Sequence, residues 1–145
     1  MSLTEGLAQQ LQAKGLVTFD PTGTTGDTFI ETMPPQTPHK AVSLTFAGGV
    51  ESDSKLPYDE PLVQVRVRGD ESGDPRNSRD RAASIRGALH GLSDMTLPDG
   101  TYLVLALAVQ ATPQSIGRDD LHRYEHVFDL RCEISNPTAN RPIGG

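Results

Sequence analysis

The sequence has no tryptophan, one cysteine and few aromatic side chains, 5% of 145 residues. A single cysteine, Cys132, allows no intrachain disulfide and no cysteine-rich zinc centre, and it fits a reducing compartment. Long apolar runs are also missing. The longest, Tyr102 to Val109, falls far short of the roughly 20 residues that span a bilayer. The opening residues, Met1-Ser2-Leu3-Thr4-Glu5, lack the basic start and apolar stretch of a secretory signal. These absences predict a soluble intracellular product with no membrane partner. Positive charge is scarce too: 13 basic residues face 19 acidic ones, a net charge of −6. Such a balance excludes a non-specific grip on nucleic acid or anionic membrane, which needs a dense positive face. It leaves room for a protein that handles DNA without gripping it. Hydrophobic residues make up 35%, below the usual level of about 45%. Glycine and proline supply 25 residues, so much of the chain is loop, and a partner is expected to bury surface that one copy leaves open.

What is present reads as an α+β fold, a mostly antiparallel sheet of five to six strands packed with two amphipathic helices. Ser2 and Glu5 stand at capping-box spacing, Leu3, Leu7 and Leu11 form one stripe, and Gly15 suits a left-handed stop, so the first helix covers about 3–14. Asp74-Pro75 starts a second helix over about 75–90, with Ala82, Ile85, Leu89 and Leu92 on its inner face. Short strands are expected at 16–20 and 28–32, separated by the turn sequence 20–27. Val42, Leu44 and Phe46 alternate within a strand over 41–47, and Val63, Val65 and Val67 within another. Residues 50–61 read as an acidic, proline-bounded loop. Tyr102 to Val109 is apolar on both faces and reads as a central strand covered on both sides. Residues 114–120 read as a polar connection, and alternation from Tyr124 to Ile134 marks a final strand. One domain over 1–135 and an extended or disordered tail over 136–145 complete the expected organisation.

No motif carries catalytic chemistry. His122-Arg123-Tyr124-Glu125-His126 matches an inverted zinc-peptidase pattern, H-x-x-E-H. That chemistry needs both histidines on one helical turn, whereas here the segment enters a strand, where positions four apart lie about 13 Å from each other. A small metal-dependent hydrolase using His122, Glu125 and His126 is therefore the least favoured alternative. Gly23-Thr24-Thr25-Gly26 lacks the Lys-Ser/Thr ending of a phosphate loop. Cys132 falls on the apolar side of its strand and reads as a small buried hydrophobe. No cofactor or metal is expected.

Charge placement is more informative. Ten of the 13 cations are arginine, the residue that forks onto carboxylates and favours interfaces. Arg66 and Arg68 share one strand face, and Arg76 and Arg79 follow on the second helix. Glu51, Asp53, Asp59 and Glu60 lie in one loop, and Arg118, Asp119 and Asp120 in another. Separate patches of opposite sign suit head-to-tail assembly, so these eleven residues are the candidate contacts with neighbouring subunits or other partners.

The order of features completes the reading. A hairpin ends in Met33-Pro34-Pro35, a strand closes on Gly48-Gly49, and Pro61-Leu62-Val63-Gln64-Val65-Arg66-Val67-Arg68-Gly69 follows. After the second helix come an apolar strand, then Gln110-Ala111-Thr112-Pro113-Gln114-Ser115-Ile116-Gly117-Arg118-Asp119, and a long last strand. Over about residues 3–135 this resembles the tail-terminator proteins of long-tailed bacteriophages, often called minor capsid proteins. The resemblance implies a virion protein made in the host cytoplasm, with no active site. It implies a homo-oligomeric ring, typically a hexamer, that caps the tail tube, stops its polymerisation and offers the head-joining surface. The implied partners are the major tail tube protein and a head-completion or connector protein, with DNA passing through the lumen without specific binding. Six copies at −6 would carry about −36, a wall that repels phosphate. The alternative within the same class is another phage neck or head-completion protein.

Overall fold

The computed structural model describes residues 2–52 and 56–137. Two helices and eight strands follow one another as α1 (Leu3–Ala13), β1 (Thr28–Ile30), β2 (Ala41–Gly49), β3 (Tyr58–Asp59), β4 (Pro61–Arg68), α2 (Pro75–Leu89), β5 (Ser93–Thr96), β6 (Tyr102–Ala108), β7 (Gln114–Arg118) and β8 (Tyr124–Ser135). The strands form one sheet in the order β1-β2-β4-β8-β6-β5, with β3 and β7 also on β8. It is an α+β fold. All pairings are antiparallel except β1 with β2, which is parallel.

The helices form where the sequence provides stripes and caps. At the start of α1 the Ser2 backbone N–H donates to Glu5 Oε1 at 3.3 Å, and Leu3, Leu7 and Leu11 are buried. Gly15, at φ +75°, ends the helix as expected. In α2 the Asp74 carboxylate accepts the Arg76 N–H at 3.0 Å, with Pro75 in the first turn, and Ser78, Ala82, Ile85 and Leu89 turn inward. Both helices cover one face of the sheet. There Val42, Leu44, Val63, Val65, Phe128, Leu130, Cys132 and Leu103 join the helical leucines in one core.

β8 is the spine. One of its edges pairs with β4 through Glu125–Arg131 and with β3 at Ile134 and Ser135. The other pairs with β7 near Tyr124–Val127 and with β6 from Leu130 to Ser135. Twelve alternating residues make this long strand legible in the sequence.

Several expectations need correction. Residues 16–20 form no strand, only a bridge from Phe19 to Thr28. Side chains satisfy the backbone there: Gln12 Oε1 accepts the Phe19 N–H at 2.7 Å, and Asp27 Oδ1 accepts the Thr18 N–H at 3.0 Å. β1 stops at Ile30 rather than 32, because Glu31 adopts φ +64° and its carboxylate turns back to accept the Phe46 N–H. The acidic loop 50–61 contains β3, and the supposed connection 114–120 contains β7. β7 is exposed along its whole length, so burial imposes no apolar alternation on it. β5 likewise buries little. β6 is not covered on both faces: Tyr102 is 40% and Val104 37% exposed. Both alternate with buried Leu103, and the pairing with β8 shifts register between Leu103 and Leu105. Most of the 136–145 tail lies outside the described residues.

Candidate assembly surface

The face of the sheet turned away from the helices carries the polar side of each strand. Gln64, Arg66 and Arg68 of β4 lie beside Glu125, Val127 and Asp129 of β8 by register. On this face the expected arginine pair separates. Arg66 is 41% exposed in its side chain and bridges Glu125, 9% exposed, at 2.5 Å. Arg68 is 3% exposed. It donates through Nε to the His39 carbonyl at 2.9 Å and through Nη2 to that of Pro38 at 2.6 Å. Burial and nearby Arg123 push its pKa down from the ordinary value, while Glu125 and Asp119 oppose them.

Arg123, absent from the expected set, completes this clamp. It is 2% exposed and donates to the carbonyls of Pro35 at 2.5 Å and Gln36 at 2.6 Å, and to Asp119 Oδ2 at 2.9 Å. Two buried guanidinia thus hold the 35–39 segment over one end of the open face. Nothing in the sequence marked Arg123, since its carbonyl acceptors lie 87 and 88 residues away. Asp119 sits in the turn before β8, where Leu121 and Arg123 N–H groups also donate to it. Burial pushes its carboxyl up, but those hydrogen bonds and the Arg123 charge outweigh burial and hold it below the ordinary value. Arg118 and Asp120 are exposed beside it.

The other candidates fall at distant places. Arg76 bridges Asp74 at 3.0 Å, and Arg79 bridges Asp80 at 2.9 Å, both on the exposed side of α2. Glu51 is exposed at the far end of β2. Asp53 lies outside the described residues. Near Glu51, the Tyr58 hydroxyl lies 2.7 Å from Glu60 Oε1 and also against Glu133, which share its one proton, and these carboxylates hold that proton well above the ordinary range. Asn136 donates to Asp59 at 2.8 Å, and Arg131 lies 3.7 Å from Glu60.

The histidine motif is split by the backbone. His122 occupies a turn at φ +63°, whereas His126 is buried in β8 with Nδ1 2.8 Å from Ser78 Oγ. Among the described residues, no three His, Cys, Asp or Glu side chains gather as a metal-holding group. Cys132 is buried, and burial pushes its thiol up to about 12, far from the reactive thiolate range.

A pH prediction follows from two groups. Burial and the Arg79 charge lower the His126 pKa from its ordinary 6.5. Arg86 lines the same cleft and adds to the cationic surroundings. Both His126 and Asp119 have depressed folded values, so the unfolded chain binds protons first as pH falls. Stability is therefore full above 6.5, falls first as His126 titrates, and falls again below the ordinary Asp value of 3.8. Urea unfolding followed from pH 8 to 3 checks this. His126→Gln is expected to remove the upper step and leave the lower one.

Residues 10–136 match a family model described as "Bacteriophage tail terminator protein". No curated protein matches the sequence. Among solved structures, the fold is similar to a chain of the "Virion of native gene transfer agent (GTA) particle". The TM-score is 0.55 at 20% identity, covering 91% of this chain and 95% of that one.

Proposed function

The chain belongs to the bacteriophage tail terminator family, a structural family of the phage tail, and from this premise we propose that it caps the tail tube as a ring of its own copies. In this reading the ring occupies the growing end, stops polymerisation and offers the surface that joins the head. The protein is a virion component at the head–tail junction and performs no catalysis. The observation that carries the reading is the family match over residues 10–136, which takes in α2 and every strand. A chain of similar fold in a gene transfer agent virion supports placement in a particle.

The surface chemistry agrees with a ring subunit. Phe46, Val50, Tyr102, Val104, Val109 and Ile116 are apolar and exposed in one copy, as expected of surface that neighbours cover. A net charge of −6 per copy lets a ring line the passage of DNA without trapping phosphate.

The test is polymerisation of the major tail tube protein with and without this chain. Tube growth is expected to stop at about one ring per tube end, with ring-shaped density at that end in negative stain. Growth that continues unchanged at saturating protein overturns the reading.

A further inference from the structure

We propose that the cleft between α2 and β7 receives the Val50-Glu51 segment of a second copy, and that this contact closes the ring. The proposal rests on the capping reading and names the contact that builds it.

The cleft has a volume of about 410 Å³. Ser115 and His126, register partners across β7 and β8, line it from the sheet, and Arg79, Asp80, Ala83 and Arg86 line it from α2, two cations against one carboxylate. Ala111 and Pro113 add an apolar wall. Among the described residues β7 pairs with β8 alone, so its other edge offers free backbone donors and acceptors to an extended segment. Among the described residues Arg79 bridges only its chain neighbour Asp80, and Arg86 uses Nε on the Gln110 carbonyl. Both keep further guanidinium donors for a carboxylate. The cleft therefore asks for a short extended segment with one small apolar residue and one acid.

Val50-Glu51 has that chemistry. It follows the last register pair of β2, Gly49 with Pro61. Val50 is exposed, and Glu51 is exposed and makes no ion pair among the described residues. The segment borders Ser135 at one end of β8, and the cleft borders His126 near the other. Nine residue steps along β8 separate those ends by about 30 Å, so the two surfaces cannot meet within one chain. Contact between copies is then head-to-tail, the arrangement that closes into a ring when its rotation permits. Val50 would sit against Ala83, Ala111 and Pro113, and Glu51 between Arg79 and Arg86.

Charge exchange tests this. Arg79→Glu alone sets a like charge against Glu51 at position 79, and Glu51→Arg alone sets like charges against both Arg79 and Arg86. Mixed one to one, they restore an opposite charge between positions 51 and 79 in every contact of an alternating ring. Native mass spectrometry and tube-end imaging are expected to show each single variant assembling at least tenfold more weakly, and the mixture recovering. Circular dichroism melts like those of the wild type show that the variants fold. Single variants that fold and assemble as well as the wild type overturn the cleft assignment and leave the capping reading standing, as does a mixture that fails to recover. A wild-type chain that stays monomeric even with tubes present overturns the capping reading itself.

Discussion

Arg68→Glu is expected to abolish cooperative folding, or to remove more than half of the stability, whereas Arg66→Gln is expected to cost about 1 to 2 kcal/mol. The two side chains sit two residues apart on one strand face, yet their surroundings differ. Arg68 is almost wholly buried and spends two donors on the carbonyls of Pro38 and His39. A glutamate there would aim a carboxylate at two carbonyl oxygens, near the Glu125 carboxylate. Both carbonyls would lose their donor while an unpaired charge stays out of water. Breaking a buried charged contact in this way costs about 3 to 5 kcal/mol, and a like charge adds to it, against a total of about 5 to 15 kcal/mol for a typical domain. Arg66 is more open to water and can be replaced by a side chain that still donates to Glu125. Urea unfolding of the two variants checks the split. Equal midpoints would show that the 35–39 segment does not depend on Arg68. Reversal of Arg68 is thus a test of folding, and assembly has to be probed at Arg79 and Glu51.

The contrast shows where sequence pattern stops being informative. Period-two spacing places Arg66 and Arg68 on one face, and they do share it. What separates them is a proline-containing segment some thirty residues earlier that folds over one end of that face, and no local pattern encodes that fold-over. The same logic sorts the strands. β4 and β8 were legible because each buries one face, which forces valine, phenylalanine and leucine onto alternate positions. β5 and β7 bury little, so nothing forces alternation. β6 misled in the other direction: apolar side chains on both faces read as double coverage, but the helices cover only one face and the second stays open. Both helices were legible because their caps and stripes are local. The cleft was not, since α2, the turn after β6, β7 and β8 supply it from residues 79 to 126. Of its lining, Arg79 is singled out in the sequence as a contact, by charge rather than by position, and His126 only as part of the zinc-peptidase pattern.

Arg123→Met should cost about 3 to 5 kcal/mol and lower Tm by roughly 10 °C for a chain of this size. Methionine fills much of the buried volume but leaves the carbonyls of Pro35 and Gln36 without this donor, and it strips the Asp119 carboxylate of its guanidinium partner while the two backbone N–H donors stay. The more telling measurement is the double-mutant cycle with Arg68→Met. Both guanidinia hold the same five residues, 35–39. Once either is removed the segment loosens, and the remaining arginine loses part of what it gripped. The double variant should therefore lose less than the two single losses added, by about 1 to 2 kcal/mol. Additivity within about 0.5 kcal/mol would mean that other contacts fix the segment and that the two arginines act independently. Assembly should follow the same order. The clamped segment walls a cleft that also contains Arg66 and Asp120, so loosening it disturbs a surface of the subunit as well as its stability. The clamp variants should lose assembly and stability in parallel, while Arg79→Glu loses assembly with its melting temperature unchanged. That dissociation separates residues that shape the subunit from residues that join one subunit to the next.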